Sequence, residues 1–176
     1  MKPRTFRAAG MLALSALTLL LAGLYAVAGS YVYLEPSLPT ATAMRNVEMQ
    51  VPLRVYARGG QVIAQIGEQR RVPVAYEDIP ELVREAFLAA EDDRFFKHHG
   101  IDYTGVLRAI LVNLVSRGFA QGASTITMQA ARNMFLTPKK DLHRKLQEVF
   151  VTLRMEHEFT KEQILTIYLN RVYLGA

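Results

Sequence analysis

Cysteine and tryptophan are both absent from this chain. Without a thiol there is no disulfide framework, no thiolate zinc site and no cysteine nucleophile, although the absence assigns no compartment. Compositional extremes are missing too. Charged residues make up 21% of the 176, close to ordinary globular usage, which excludes collagen-like and wholly disordered chains. A length of this order supports one domain with its own core. The net charge of +5 is uneven: Lys2, Arg4 and Arg7 precede the first acid, Glu35, and the chain beyond Arg7 holds 18 basic against 16 acidic residues. So small a remaining excess calls for no nucleic-acid partner.

What is present begins with a long apolar run. Residues 8–34 form a stretch of 27 without Asp, Glu, Lys, Arg or His, and roughly 20 suffice to span a bilayer. Basic residues 1–7 precede it, Tyr31 and Tyr33 sit at its far end where amphipathic rings favour the interface, and Glu35-Pro36 closes it. The pattern implies a retained single-pass anchor, with the N-terminus cytoplasmic and the remainder exported. Ala26-Val27-Ala28 would suit a cleavable signal peptide, but the apolar cores of those are shorter, about 7–15 residues.

Residues 35–50, with Pro36, Pro39, Thr40 and Thr42 and no clear period, read as a linker. Residues 51–73 read as a hairpin, with strands at Leu53–Ala57 and Gln61–Ile66 joined through Gly59-Gly60. From residue 74 the pattern is helical. Asp78 with Pro80 marks a first start, with Leu82, Val83, Ala86, Phe87 and Ala90 at helical spacing. Asp102 caps a second helix through Arg117, and Gly122-Ala123-Ser124 opens a third from about Thr125 to Phe135. Thr137-Pro138 starts a long one with Leu142, Leu146, Val149 and Leu153 on one face. Thr160-Lys161-Glu162-Gln163 fits a capping box and opens the last, through Leu169.

Three stretches carry more chemistry than packing requires. Residues 91–100 place three acids and four basic or imidazole groups beside Phe95 and Phe96, which would anchor the charges in a cleft wall, and a carboxylate beside apolar groups can serve as general base or acid. A solvated helix end is the plainer account. His98-His99 lacks the spacing and third ligand of a metal site. Residues 121–129 set Gly122-Ala123 ahead of hydroxyls at a helix N-terminus, a natural anion or sugar pocket, or else an ordinary cap. Arg144, Lys145 and Glu148 stand at i, i+4 and i, i+3 on one helix, either a surface salt-bridge face or two cations for a phosphate with a carboxylate to orient them.

In this order the motifs resemble those of peptidoglycan glycosyltransferases, the lysozyme-like domains (glycosyltransferase family 51) of class A penicillin-binding proteins and their monofunctional relatives. Glu91-Asp92-x-x-Phe95-x-x-His98-x-Gly100 is followed by Gly122-Ala123-Ser124-Thr125-Ile126-x-x-Gln129. Then come Arg144-Lys145-x-x-Glu148, Lys161-x-x-Ile164-Leu165-x-x-Tyr168-Leu169-Asn170 and Arg171-Val172-Tyr173-Leu174-Gly175. The resemblance covers residues 74–176, and Met128 departs from it where many members have a second Gln.

The resemblance implies a mainly α, lysozyme-like domain that polymerises lipid II into β-1,4 glycan with release of undecaprenyl pyrophosphate. Glu91 would be the general base and Glu148 the second acid, near the leaving group or orienting its ligands. Arg144 and Lys145 would bind pyrophosphate, and Ser124, Thr125 and Gln129 would line the donor pocket. Asp92, Phe95, His98, Gly100 and Gly122 would support Glu91 and its pocket, as would, less directly, Tyr168, Asn170, Arg171 and Tyr173. No cofactor is required, with a divalent magnesium or manganese ion at the pyrophosphate left open. The implied partners are lipid II, the nascent strand, the membrane and other cell-wall synthesis and division proteins. The chain stops inside the fifth motif, so it is expected to be the N-terminal part of a longer protein, inactive alone if truncated. Two alternatives remain: an exported lysozyme-like muramidase, which Arg144-Lys145 disfavours because pyrophosphate needs cations whereas a sugar leaving group needs an acid, and a membrane-tethered scaffold.

Overall fold

The computed structural model describes residues 3–46, 53–66, 73–116, 118, 122–139 and 141–172. The chain divides into two compact units, Met1–Leu38 and Pro39–Ala176. Gln121, Tyr173 and Gly175 of the motifs lie outside the described residues, as do Arg117 and residues 67–72 of the hairpin segment.

The first unit is one helix, α1 (Pro3–Leu34), closed by a single 3-10 turn over Glu35–Ser37 with Pro36 in its first positions. Within it, residues 10–37 make a span of 28 residues long and apolar enough to cross a membrane. The serine and threonine hydroxyls of the span are satisfied by its own backbone, as a lipid environment demands: Ser15 donates to Leu12 O at 2.9 Å, Thr18 to Ser15 O at 2.9 Å and Ser30 to Val27 O at 2.8 Å.

In the second unit, residues expected to be an aperiodic linker contain a short helix, α2 (Ala41–Arg45), whose Thr40 cap accepts from the Ala43 amide at 3.2 Å. Five residues are too few for a period to be read. Met44 is buried, Arg154 donates to Pro39 O at 2.7 Å, and Arg45 pairs with Glu158 at 2.6 Å. The hairpin forms as expected, β1 (Leu53–Tyr56) antiparallel to β2 (Val62–Ile66), from Leu53 opposite Ile66 to Tyr56 opposite Val62, with an irregularity between Val55 and Tyr56. Gly60 takes the positive φ of 81° that the turn needs.

Among the described residues five further α-helices follow: α3 (Glu81–Glu91), α4 (Tyr103–Ser116), α5 (Ile126–Phe135), α6 (Leu142–Glu158) and α7 (Lys161–Arg171). The core lies where α5 packs against both α6 and α7. Ile126, Ala130 and Ala131 of α5 are fully enclosed with Val151 and Met155 of α6 and Ile164 and Leu165 of α7. Alanines on the central helix let its neighbours approach closely, and each large apolar side chain buried here contributes about 1.5–3 kcal/mol.

Several expectations are corrected. Asp78 sits in a 3-10 turn, and α3 starts only after Pro80. The long helix starts not at Thr137-Pro138 but after Asp141, whose carboxylate accepts from the Arg144 amide at 2.7 Å. Its apolar stripe is not its packing face: Leu142 is 76% exposed and Leu153 44%, while Glu148, Val151, Thr152 and Met155 point inward. Phe95 is buried, but its neighbour Phe96 is half exposed, because adjacent residues of a 3-10 turn point apart. No residue of α3 is buried, and α4 turns only Ala109 inward, leaving Leu107, Ile110, Leu111 and Leu114 exposed.

Candidate active site

Glu91 is the last residue of α3, and its exposed carboxylate accepts from Gln129 Nε2 at 2.8 Å. The chain leaves the helix through Asp92, buried at 7% exposure. Both Asp92 oxygens lie 3.0 Å from His98 Nε2, and one also accepts the Ile126 amide, the first of α5, at 3.1 Å. That amide would otherwise be an orphan donor at a helix start. A second tie runs in parallel. Thr125 caps α5 by accepting from the Met128 amide and donates its hydroxyl to Gly100 O at 2.6 Å. Two bonds thus fasten the 92–100 loop to the start of α5, and Gln129, one turn on, meets Glu91.

Behind this loop Phe95 stacks edge-on against Phe96 at 5.1 Å, and the Lys161 ammonium lies 4.3 Å from its ring centroid. Lys161 also pairs with Glu156 at 2.8 Å, and Glu156 accepts from the Thr127 hydroxyl at 2.5 Å. Gly100 closes the loop with φ 86°, and a Cβ there would stand 2.7 Å from Thr152 Cγ2 and 2.9 Å from Glu156 Cγ. Only glycine meets both the dihedral and the space.

Glu148 is fully buried on the inward face of α6. One of its oxygens accepts from Arg144 Nη1 at 2.8 Å and the other from Lys145 Nζ at 2.5 Å. Lys145 also reaches Ser124 Oγ at 3.4 Å, so the cation pair is brought up to the glycine loop. Arg144 Nε is buried without an acceptor among the described residues. Such a donor suits an incoming oxyanion.

The 122–125 loop, Glu91 and α4 border an open cleft, lined by Glu91, Asp93, Asp102, Arg108, Gly122 and Ser124 among others. Burial would raise the Asp102 carboxyl, but the Thr104 hydroxyl, the Gly105 and Thr104 amides and nearby Arg94 hold it below the usual carboxylate range.

Comparison with known proteins decides what this arrangement belongs to. The model of the family described as Transglycosylase matches residues 59–176. The chain belongs to the transglycosylase family. Penicillin-binding protein 1A of Escherichia coli is 47% identical over 156 residues, 89% of this chain and 18% of that protein. The protein of the same name from Pseudomonas aeruginosa is 44% identical over 158 residues, covering 90% and 19%, and that from Haemophilus influenzae 46% over 128 residues, covering 73% and 15%. The chain thus spans less than a fifth of these relatives' length.

Within this transglycosylase unit, Glu91, Gln129 and Ser124 share one region, and Arg144, Lys145 and Glu148 join it through Ser124. Thr125 lines the cleft, but its hydroxyl is committed to Gly100 and Met128, so it acts as a fastening. Asn170 is set apart: it brackets Val74, accepting from its amide at 2.8 Å and donating to its carbonyl at 2.9 Å. Arg171 ends α7. Tyr168 is buried edge-on against Phe87. Burial raises its hydroxyl pKa, the charge of Glu91 adds to this, and that of Arg132 opposes it. Arg132 thus lies within electrostatic reach of Tyr168, a cation missed in the sequence although it follows Gln129 at i+3 on α5. Arg108 was missed as well.

Both Glu148 oxygens are taken by cations, so Glu148 does not fit as the anchor of a divalent ion, and among the described residues no group of three or more His, Cys, Asp or Glu is placed to hold one.

Proposed function

We propose that this chain is a glycan polymerase unit that joins lipid II into β-1,4-linked strands and releases undecaprenyl pyrophosphate. The observation that carries the reading is the buried Glu148 with Arg144 and Lys145 drawn to its two oxygens beside Ser124. Two cations fixed in this way form a preorganised receptor for negative charge that develops as a phosphate leaves.

Glu91 is exposed at the cleft, held by a single amide donor, and free to take the proton of an incoming sugar hydroxyl. The deprotonated 4-hydroxyl oxygen of the acceptor attacks the anomeric carbon of the donor. The bond from that carbon to the pyrophosphate oxygen breaks with inversion, its electron pair leaves with the pyrophosphate, and Arg144 and Lys145 stabilise the negative charge that develops there. The orphan Arg144 Nε adds a donor for it. Glu148 serves as positioning residue, because both its oxygens accept from the two cations and hold them in place. That feature also disfavours the muramidase alternative, which needs an acid at the leaving sugar.

The α1 helix fits an anchor that keeps the unit at the surface where a polyprenyl substrate resides, with Lys2, Arg4 and Arg7 inside and catalysis outside. The substrate partners on this reading are lipid II and the growing strand.

The decisive experiment is Glu91→Gln in a purified lipid II polymerisation assay. Loss of about 10²-fold or more in rate, with an unchanged unfolding midpoint, is expected because the side chain is exposed. Unaltered turnover overturns the base assignment.

A further inference from the structure

The proposed reaction joins two molecules that each carry a pyrophosphate, yet Arg144 and Lys145 serve only the one that leaves. Ser124 lines the cleft before Glu91, whereas Arg144 and Lys145 do not, and Arg108 is the one cation among the described residues that line it. Arg108 is also the sole charged residue among the 14 of α4, a helix that otherwise exposes Leu107, Ile110 and Leu114. It follows Gly105 at i+3, and Gly105 lines the same cleft without a side chain to fill it. Two of the neighbouring acids are already engaged, Asp92 by His98 and the Ile126 amide, and Asp102 by Thr104 and Arg94. Glu91 accepts from Gln129. Among the described residues nothing engages the Arg108 guanidinium, although Asp93 lines the same space.

We infer that Arg108 binds the pyrophosphate of the acceptor, the molecule whose hydroxyl Glu91 deprotonates, while Arg144 and Lys145 hold the pyrophosphate that leaves. The inference rests on the transferase reading. A planar guanidinium donates two parallel hydrogen bonds to a phosphate, which suits a group that must be oriented and not merely attracted. Separate cation sets keep the two like-charged groups apart on either side of the reacting hydroxyl.

The test measures binding and not turnover, so failure of the transferase reading, seen as binding without polymerisation, is distinguishable from failure of this inference, seen as charge-blind binding by the wild type or an unchanged preference in the Arg108 variant. With the leaving-group side saturated by a moenomycin-type phosphoglycolipid, the whole chain is titrated with lipid II and with an analogue carrying an uncharged ether in place of pyrophosphate. The wild type is expected to prefer the charged ligand about tenfold. Arg108→Ala should bind both equally, at the wild-type affinity for the ether, and Arg108→Lys should keep part of the preference. Phosphoglycolipid affinity should be unchanged in Arg108→Ala and weakened in Lys145→Ala. The inference is overturned if Arg108→Ala keeps the tenfold preference, or if it loses phosphoglycolipid affinity as Lys145→Ala does. Arg108 is exposed, and matching far-UV spectra establish that the variants are folded.

Discussion

Gly100 shows how one residue can hold a site in place. Its positive φ and the two side chains crowding it make Gly100→Ala strained in dihedral and in space together. A loss of about 2–4 kcal/mol in urea unfolding is expected, from the left-handed conformation plus overpacking. Asp102 supplies a pH signature. Its folded carboxyl titrates below the ordinary 3.8, so its contribution is complete above that value and disappears as the pH falls through the lower folded one. Stability should therefore fall less steeply with acid in Asp102→Asn than in the wild type, as read from denaturation midpoints between about pH 5 and 2. At this scale the sequence was informative where partners are close along the chain. Arg144, Lys145 and Glu148 were readable as one cluster from helical spacing alone, although not the depth of Glu148. The ties from Asp92 to Ile126 and from Thr125 to Gly100 were not, since they join positions 34 and 25 apart and nothing local encodes which residues will meet.

Among the elements, α7 was readable because its signal is complete within four residues: the Thr160 hydroxyl accepts the Gln163 amide and the Gln163 side chain accepts the Thr160 amide. The start of α6 was not, because Pro138 and Asp141 are both good openers and only the fold chooses between them. Asp141→Ala should cost about 1 kcal/mol by loss of the cap and should also weaken phosphoglycolipid binding, because the amide it holds belongs to Arg144. Unchanged binding, measured by titration, would detach the cap from the cation pair. The stripe Leu142, Leu146 and Leu153 was read correctly as helical but carried no information about which side faces inward, since the inward side is lined by Glu148 and Thr152 together with Val151 and Met155.

For the molecule as a whole, the division into an apolar helix and a mainly helical unit was evident from composition, because a run of 27 residues without charge has few other uses. Replacing Leu20 and Leu21 together by Arg places two charges mid-span, each costing about 2.5–3.5 kcal/mol on insertion scales, and should move the chain out of the membrane fraction on flotation. The paired fastenings of the 92–100 loop have a consequence for how the catalytic unit opens. First-turn amides of a helix normally exchange with solvent in the fraying regime, hours ahead of the core. The Ile126 amide, bonded to a buried carboxylate from another element, has no such local route. Its deuterium uptake should be as slow as that of the α5 centre, so this single proton reports whether the segment bearing Glu91 is seated.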